Sequence, residues 1–354
     1  MGGGSGGDQR RQALHEAIAR AASSHRMASW EQAPCIFISL VFVPEWLRAC
    51  RILSCLFSGS WPPLGWAAAT RAMNDDELKA RFRAFRDPGD DPGMLAAALL
   101  VAACDRPEFE AAWVEAELAA MTAAAEGYVA GHAHPRAQVE GLCFYLKDVV
   151  GLHGDPERYY ERNNSYIDCV LESRCGIPIT LGVIYAEVGQ RLGLNCEGVN
   201  FPGHFLIRAR VNEVAATQLL IDPFAGQVIS HADCQAFLQQ MQGEAQTLGP
   251  QHLQSASSQE VLVRMLNNLK QLAFAQGDYL GLIRHSQWIQ EADPRLLLEH
   301  RDRALAYEQI QDWASAIIEW EMLAGSMTDG EPRRTLLARV AELERKSSSG
   351  RIVH

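Results

Sequence analysis

The sequence predicts an α+β domain with a helical front part, followed by a short all-helical repeat domain. Three observations carry this. An apolar rhythm of three to four residues runs for about fifty residues from Met94, as packed amphipathic helices require. A helix opening at Pro178 is then followed by two short apolar segments, one containing His204 and the other ending in Asp222. Finally, the pattern at Gly277-Asp278-Tyr279 returns thirty-four residues later as Gln311-Asp312-Trp313.

Composition bounds the rest. The chain has 354 residues, 48% hydrophobic and 21% charged, enough to bury a sizeable core in two or three domains. A formal charge of -11, with no Lys/Arg-rich block, argues against a nucleic-acid surface, which needs a basic face. The nine cysteines are scattered and form no CxxC pair, so they read as reduced thiols of a cytoplasmic protein. No cofactor and no metal site is expected: His132 and His134 share a Gly/Ala/Pro loop without further ligands at suitable spacing.

Residues 1–72 differ from the remainder of the chain. Met1 to Gly7 is a Gly/Ser tract, and the apolar run Pro34 to Val43 is too short to span a bilayer before Pro44, Glu45, Arg48 and Arg51 interrupt it. Three readings stand for this segment. It is an interfacial anchor built on Trp46, Leu47, Ile52 and Phe57, a disordered or weakly helical extension, or sequence upstream of the true start at Met73. The last two are favoured, because Met73-Asn74-Asp75-Asp76-Glu77 opens a helix with acidic residues where the dipole favours them.

The α+β domain is expected over 73–240. Leu95, Leu99, Ala102 and Ala103, then Phe109, Trp113, Leu118 and Met121, mark its first helices; Leu142, Phe144, Tyr145 and Leu146 extend them. Tyr166, Ile167, Val170 and Leu171 make a short helix ending near Cys175-Gly176. Pro178 opens the next, being well tolerated at the first helical position, and Leu181, Ile184, Tyr185, Val188 and Leu192 carry its stripe until Gly193. Val199 to Arg208 reads as one strand and Leu219 to Ile221 as a second. Gln235 to Ser258 reads as helix plus linker, with the linker itself at 241–259.

Residues 260–345 are expected to form the repeats, with a disordered tail at 346–354. At the thirty-four-residue offset Leu282 matches Ala316, Ala273 matches Tyr307, and Leu269 matches Arg303, the period of the tetratricopeptide helix pair. Leu336, Val340 and Leu343 would cap the second repeat. Arg264, Asn267, Asn268, Lys270, Arg301 and Arg303 are candidates to line a groove for an acidic peptide or protein.

From about Leu95 to Glu344 the chain resembles the bacterial SirB family, regulators of sirC expression that join a transglutaminase-like domain to tetratricopeptide repeats. The strings that carry the resemblance are Asn164-Ser165-Tyr166, Val170-Leu171-Glu172, Gly176 to Leu181, Gly198 to Phe205, and Asp222-Pro223-Phe224. It implies a papain-like core in which a cysteine in the first turn of a helix is activated by a histidine that an aspartate orients. His204 and Asp222 match the second and third roles. The nucleophile's place falls at or near Pro178, which has no reactive group, and Cys175 lies three residues upstream.

With no thiol in that place, the expectation is a regulatory or scaffolding protein without catalysis, its cleft lined by Asn164, Pro178, Thr180, Phe201, His204 and Phe205. On that reading Thr180 caps the backbone, Tyr185 packs, and His204 hydrogen-bonds Asp222 to close a former active site. One alternative is a cysteine-dependent hydrolase or acyltransferase using Cys175, His204 and Asp222. In another, the cleft is a ligand sensor and the repeats report its occupancy.

Overall fold

Helix α2 (Met94–Asp105) is apolar all the way round, and such a helix is stable only in an interior. Its residues Leu95 to Ala102 are all buried. The computed structural model describes residues 73–87, 89, 91–210 and 218–350, so the segment 1–72 lies outside the described residues. The expected helical run resolves into α2, α3 (Ala111–Val129) and α4 (Pro135–Phe144), the last prolonged by a π-helical turn over Tyr145–Val149. Ahead of them α1 (Asp75–Ala84) opens with a capping box in which Asn74 and Glu77 satisfy each other's backbone N–H.

Helix α5 (Ile167–Ser173) is closed by Arg174 in the left-handed region (φ 64°). Cys175–Gly176 then forms β2, which pairs in parallel with β1 (His153–Gly154). Helix α6 (Pro178–Arg191) starts at the expected proline, with Gly193 (φ 82°) just beyond its end, and is buried from Pro178 to Gly189. It is the central helix of the core, and two glycines let the sheet close on it. A Cβ at Gly182 would stand 2.7 Å from the Phe205 ring, and one at Gly189 2.6 Å from Cys196 Sγ.

Four antiparallel strands form that sheet in the order β3 (Asn195–Val199), β4 (Leu206–Arg210), β5 (Gln218–Asp222), β6 (Gln227–Ile229). The single strand expected over Val199 to Arg208 is thus two, folded back on each other. Pro202 fixes the first corner residue, Gly203 adopts φ 68° at the second, and His204 N–H donates to the Phe201 carbonyl at 3.1 Å. Those are the features of a type II turn, which the alternation of apolar residues masks. After α7 (His231–Gln242), the expected linker contains a 3-10 turn at Pro250–Leu253.

Five helices complete the described chain: α8 (Ser258–Gln276), α9 (Tyr279–Ala292), α10 (Leu298–Gln309), α11 (Trp313–Gly325) and α12 (Glu331–Gly350). The last continues past 346, where the sequence suggests a tail. The thirty-four-residue repetition extends to the backbone. Asp278 (φ -82°, ψ 76°) caps α9 and Asp312 (φ -84°, ψ 79°) caps α11, each accepting from the N–H three residues on. Asp278 N–H reaches the Ala273 carbonyl at 2.8 Å, and Asp312 N–H the Tyr307 carbonyl at 2.9 Å. Gln311 (φ 61°) stands in the left-handed conformation that Gly277 (φ 71°) occupies in the first pair. Val340 and Leu343 of α12 complete the core of the second pair with Ala316, Trp320 and Leu323.

The first pair does not stand apart from the α+β core. Val261, Leu262, Met265, Leu266 and Leu269 of α8 belong to the same apolar cluster as α2, α5 and α6. Phe82 of α1 stacks on Trp288 of α9, with centroids 4.6 Å apart and planes at 12°. Between them runs a polar seam centred on Asp105, at the end of α2. Its buried carboxylate receives His285 Nε2 at 2.6 Å and the Tyr166 hydroxyl at 2.7 Å, with Arg284 Nε at 3.1 Å. Arg162 pairs with Asp278, joining the loop before α5 to the cap of α9.

Candidate functional site

The site is organised by β1, a strand of two residues. His153 N–H donates to Arg174 O (3.0 Å) and Asp155 N–H to Gly176 O (3.3 Å), while Gly154 N–H points the other way, to Phe224 O (3.1 Å). Strand β1 therefore stands between the strand of Cys175 and the turn that succeeds Asp222. Gly154 is required there, because a Cβ would fall 2.3 Å from the Phe224 ring. Two interstrand spacings separate the outer segments, about 9–10 Å of backbone.

On one side of this strand His204 and Asp222 are brought together, Nε2 to Oδ1 at 2.9 Å. The same oxygen accepts from the N–H groups of Phe224 (2.9 Å) and Ala225 (3.2 Å). Burial works to raise the Asp222 carboxyl, but the bond and charge of His204 and these two N–H groups outweigh it and hold it below the usual carboxylate range. The imidazole lies edge-on to Phe224 and Phe237, at centroid distances of 6.4 and 5.5 Å, and its backbone carbonyl is held from below. Arg264 of α8 donates to the His204 carbonyl (2.7 Å), to the Phe201 carbonyl (3.2 Å) and to the Asn200 side chain, over the face of Phe205. Burial pushes this guanidinium down to about 10.

On the other side stands Cys175. Its Sγ lies 3.1 Å from His153 Nε2, and among the described residues its hydrogen-bonded imidazole is this one and not His204. His153 Nδ1 is 2.7 Å from the Gly151 carbonyl. A carbonyl can only accept, so Nδ1 carries a proton, and in the neutral ring Nε2 is the acceptor for the thiol's S–H. The bond to Cys175 above all, then the Gly151 carbonyl and the charge of Asp155, push the imidazole up to about 9 against the opposing effect of burial. His153 is exposed and Cys175 half-buried.

The expected cleft residues are mostly interior. Pro178 fills the first position of α6 and is buried, while Thr180, Phe201 and Phe205 have no solvent exposure. The Thr180 hydroxyl makes no capping bond; it is a buried group without a hydrogen-bond partner, as is the Tyr185 hydroxyl. Asn164 braces the start of α6: its side chain donates to Arg158 O at 2.7 Å, and its carbonyl accepts from Ile177 N–H at 3.2 Å. His204 alone of the expected set keeps a partly exposed ring, at 16%.

The expected basic groove is also redistributed. Arg264 holds the His204 turn, and Lys270 is buried between Glu299 (2.7 Å) and Asp302 (2.9 Å). Arg303 is buried against Glu319, Gln290 and Ser286. Arg301 pairs with Asp302 at 2.9 Å, which leaves Asn267 and Asn268 half-buried on α8. Charge type and helical spacing suggested a surface; the acids that bury Lys270 and Arg303 lie on later helices, Glu299 and Asp302 on α10 and Glu319 on α11, where no local pattern shows them. His153, which no pattern singled out, is the residue missed. A two-residue strand has no periodicity to read, and its partner is twenty-two residues distant.

Residues 112–267 match the transglutaminase-like superfamily. The chain is 31% identical over 215 residues to the UPF0162 protein of Vibrio cholerae, covering 61% of this chain and 79% of that one. With the UPF0162 protein of Pseudomonas aeruginosa it shares 29% over 221 residues, 62% of this chain and 80% of the relative. It is also 30% identical over 150 residues to the mouse F-box only protein 21, 39% of this chain and 22% of that protein. No solved structure matches. The superfamily match ends inside α8.

Proposed function

The chain belongs to the UPF0162 family and carries a transglutaminase-like domain, and from that premise we propose a non-catalytic regulatory or scaffolding protein. The transglutaminase-like cleft is degenerate, and the helix pairs, read as tetratricopeptide repeats, present a surface to another protein. The carrying observation is the buried Pro178 at the first position of α6, where a thiol hydrolase needs its nucleophile. Two further features support it. Cys175, the thiol next to that position in the sequence, is hydrogen-bonded to a different histidine, His153 of the adjacent strand β1, and the His204 turn is clamped by Arg264, whose three bonds hold the loop as structure. A protein partner is supported by the apolar side chains exposed on the helix pairs, among them Phe274, Leu298, Ile318 and Met322. Among the described residues no helix is long and apolar enough to cross a membrane.

The test is turnover. Incorporation of a fluorescent primary amine into a glutamine-rich protein, and hydrolysis of an activated ester, are each followed for the wild type, Cys175→Ala and His204→Ala. The expected result is no multiple turnover in any of the three. Sustained turnover lost in both variants would make the chain a thiol enzyme acting through Cys175 and His204.

A further inference from the structure

Outside the His204–Asp222 pair, the structure holds a second nucleophile–imidazole arrangement. A nucleophile within hydrogen-bond reach of a base that a third group orients is the signature of an activated side chain. Cys175 Sγ, His153 Nε2 and the Gly151 carbonyl supply these parts at 3.1 and 2.7 Å. The base is exposed and the thiol half-buried, so a small reagent can approach. The other five described cysteines lack this surrounding. Cys143, Cys196 and Cys234 are buried, and burial pushes the Cys104 and Cys169 thiols up. Charges near the pair are few. Asp155 lies beside His153 and is itself 3.4 Å from Arg158, while the Arg174 guanidinium is turned away to Glu117 at 2.6 Å.

We propose that Cys175 and His153 form a thiol-exchange site at which Cys175 is reversibly modified by low-molecular-weight disulfides. The proton shared by the pair sits on His153 Nε2, and the Cys175 thiolate attacks one sulfur of the incoming disulfide. A bond forms between Cys175 Sγ and that sulfur, and the original S–S bond breaks with its electron pair leaving on the second sulfur. The departing thiolate then takes the proton from His153. Cys175 is oxidised to a mixed disulfide and the reagent is reduced to one free thiol; no further oxidant is needed. Acyl transfer would also need donors aimed at a developing oxyanion, whereas exchange at sulfur needs only a thiolate and an acceptor for its proton, the two parts this pair has. The modification is stoichiometric, and it removes the Cys175–His153 hydrogen bond between β2 and β1.

The experiment treats the full chain with bis(2-hydroxyethyl) disulfide, a neutral reagent, from pH 5 to 9, and reads the extent at each cysteine-containing peptide by mass spectrometry. At the acid end of neutral an ordinary thiol is only about 1% ionised, so Cys175 should react at least about tenfold faster folded than in denaturant. His153→Gln should bring it to the denatured rate, and His204→Gln should leave it unchanged. A rate indifferent to His153→Gln, or lost in His204→Gln, would overturn the proposal. Were His153→Gln to fail to fold, the wild-type profile decides alone: a rate that rises only with an ionisation near about 8.5 overturns it.

Discussion

Histidine is used in opposite ways at the seam and at the rim of this molecule. At the seam, His285 is fully buried, with Nε2 on Asp105, and serves to join the α+β core to the first helix pair. At the rim, His153 is exposed, with its nitrogens on a thiol and a carbonyl, and its side-chain bond only supplements the backbone pairing of β1 with β2. The first arrangement has a large energetic weight and no chemical availability; the second has the reverse. Burial therefore tells more about a residue's work than its type does, and this is why Lys270 and Arg303 are structural here while an unremarked histidine is chemically poised.

Substitution at the seam should have the largest effect. Asp105→Ala leaves His285 and the Tyr166 hydroxyl buried without their acceptor, and such a loss costs about 3–5 kcal/mol. Chemical denaturation followed by circular dichroism measures it; a loss under about 1 kcal/mol would erase the contrast with the rim. Arg264→Ala should cost about 2 kcal/mol, since three acceptors lose a charged donor. Arg264→Lys should recover little of it, because one ammonium cannot reproduce the fork.

Acid should act at the seam and in the core before it acts at the rim. Asp105 is held below the usual carboxylate range, its burial outweighed by the bonds from His285 and Tyr166, and Asp222 likewise by His204. A depressed carboxyl contributes stability that is present above its unfolded value, about 3.9, and is lost as pH falls through the folded one. Denaturation midpoints should thus fall below about pH 4, and Asp222→Asn should show a shallower fall than the wild type. His153 has the opposite sign: raised to about 9, it contributes below about 6.5 and the contribution is lost as pH rises through about 9. Being exposed, it carries the smallest effect. His153→Gln should alter the midpoint at neutral pH by less than about 0.5 kcal/mol, while its effect on the Cys175 exchange rate is large.

Much of this was legible in the chain. Pro178 and Gly193 mark the ends of α6 because one lacks an N–H that is not needed there and the other tolerates positive φ. The thirty-four-residue offset reappears in matching caps at Asp278 and Asp312. The hairpin at Phe201 to His204 was hidden because its flanks alternate as one strand would, although Pro202-Gly203 is itself a turn signal. Of the site, the His204–Asp222 approach was visible in the order of strands. The Cys175–His153 pair was not, because it is made by a parallel bridge two residues long.

Helix α8 has a dual membership with a practical consequence. One of its faces completes the apolar interior of the transglutaminase-like unit, and the other begins the repeating series. A truncation placed in the polar stretch before Ser258 would strip the buried apolar side chains of α8 and, with them, Trp288, Ile289 and Ala292 of α9 from that interior and leave an aggregation-prone fragment. The first feasible cut lies beyond α9, because Trp288, Ile289 and Ala292 belong to the same interior and His285 holds Asp105. The helix pairs here are not a detachable module, and an exchange of arrays between proteins of this architecture would have to leave both α8 and α9 behind.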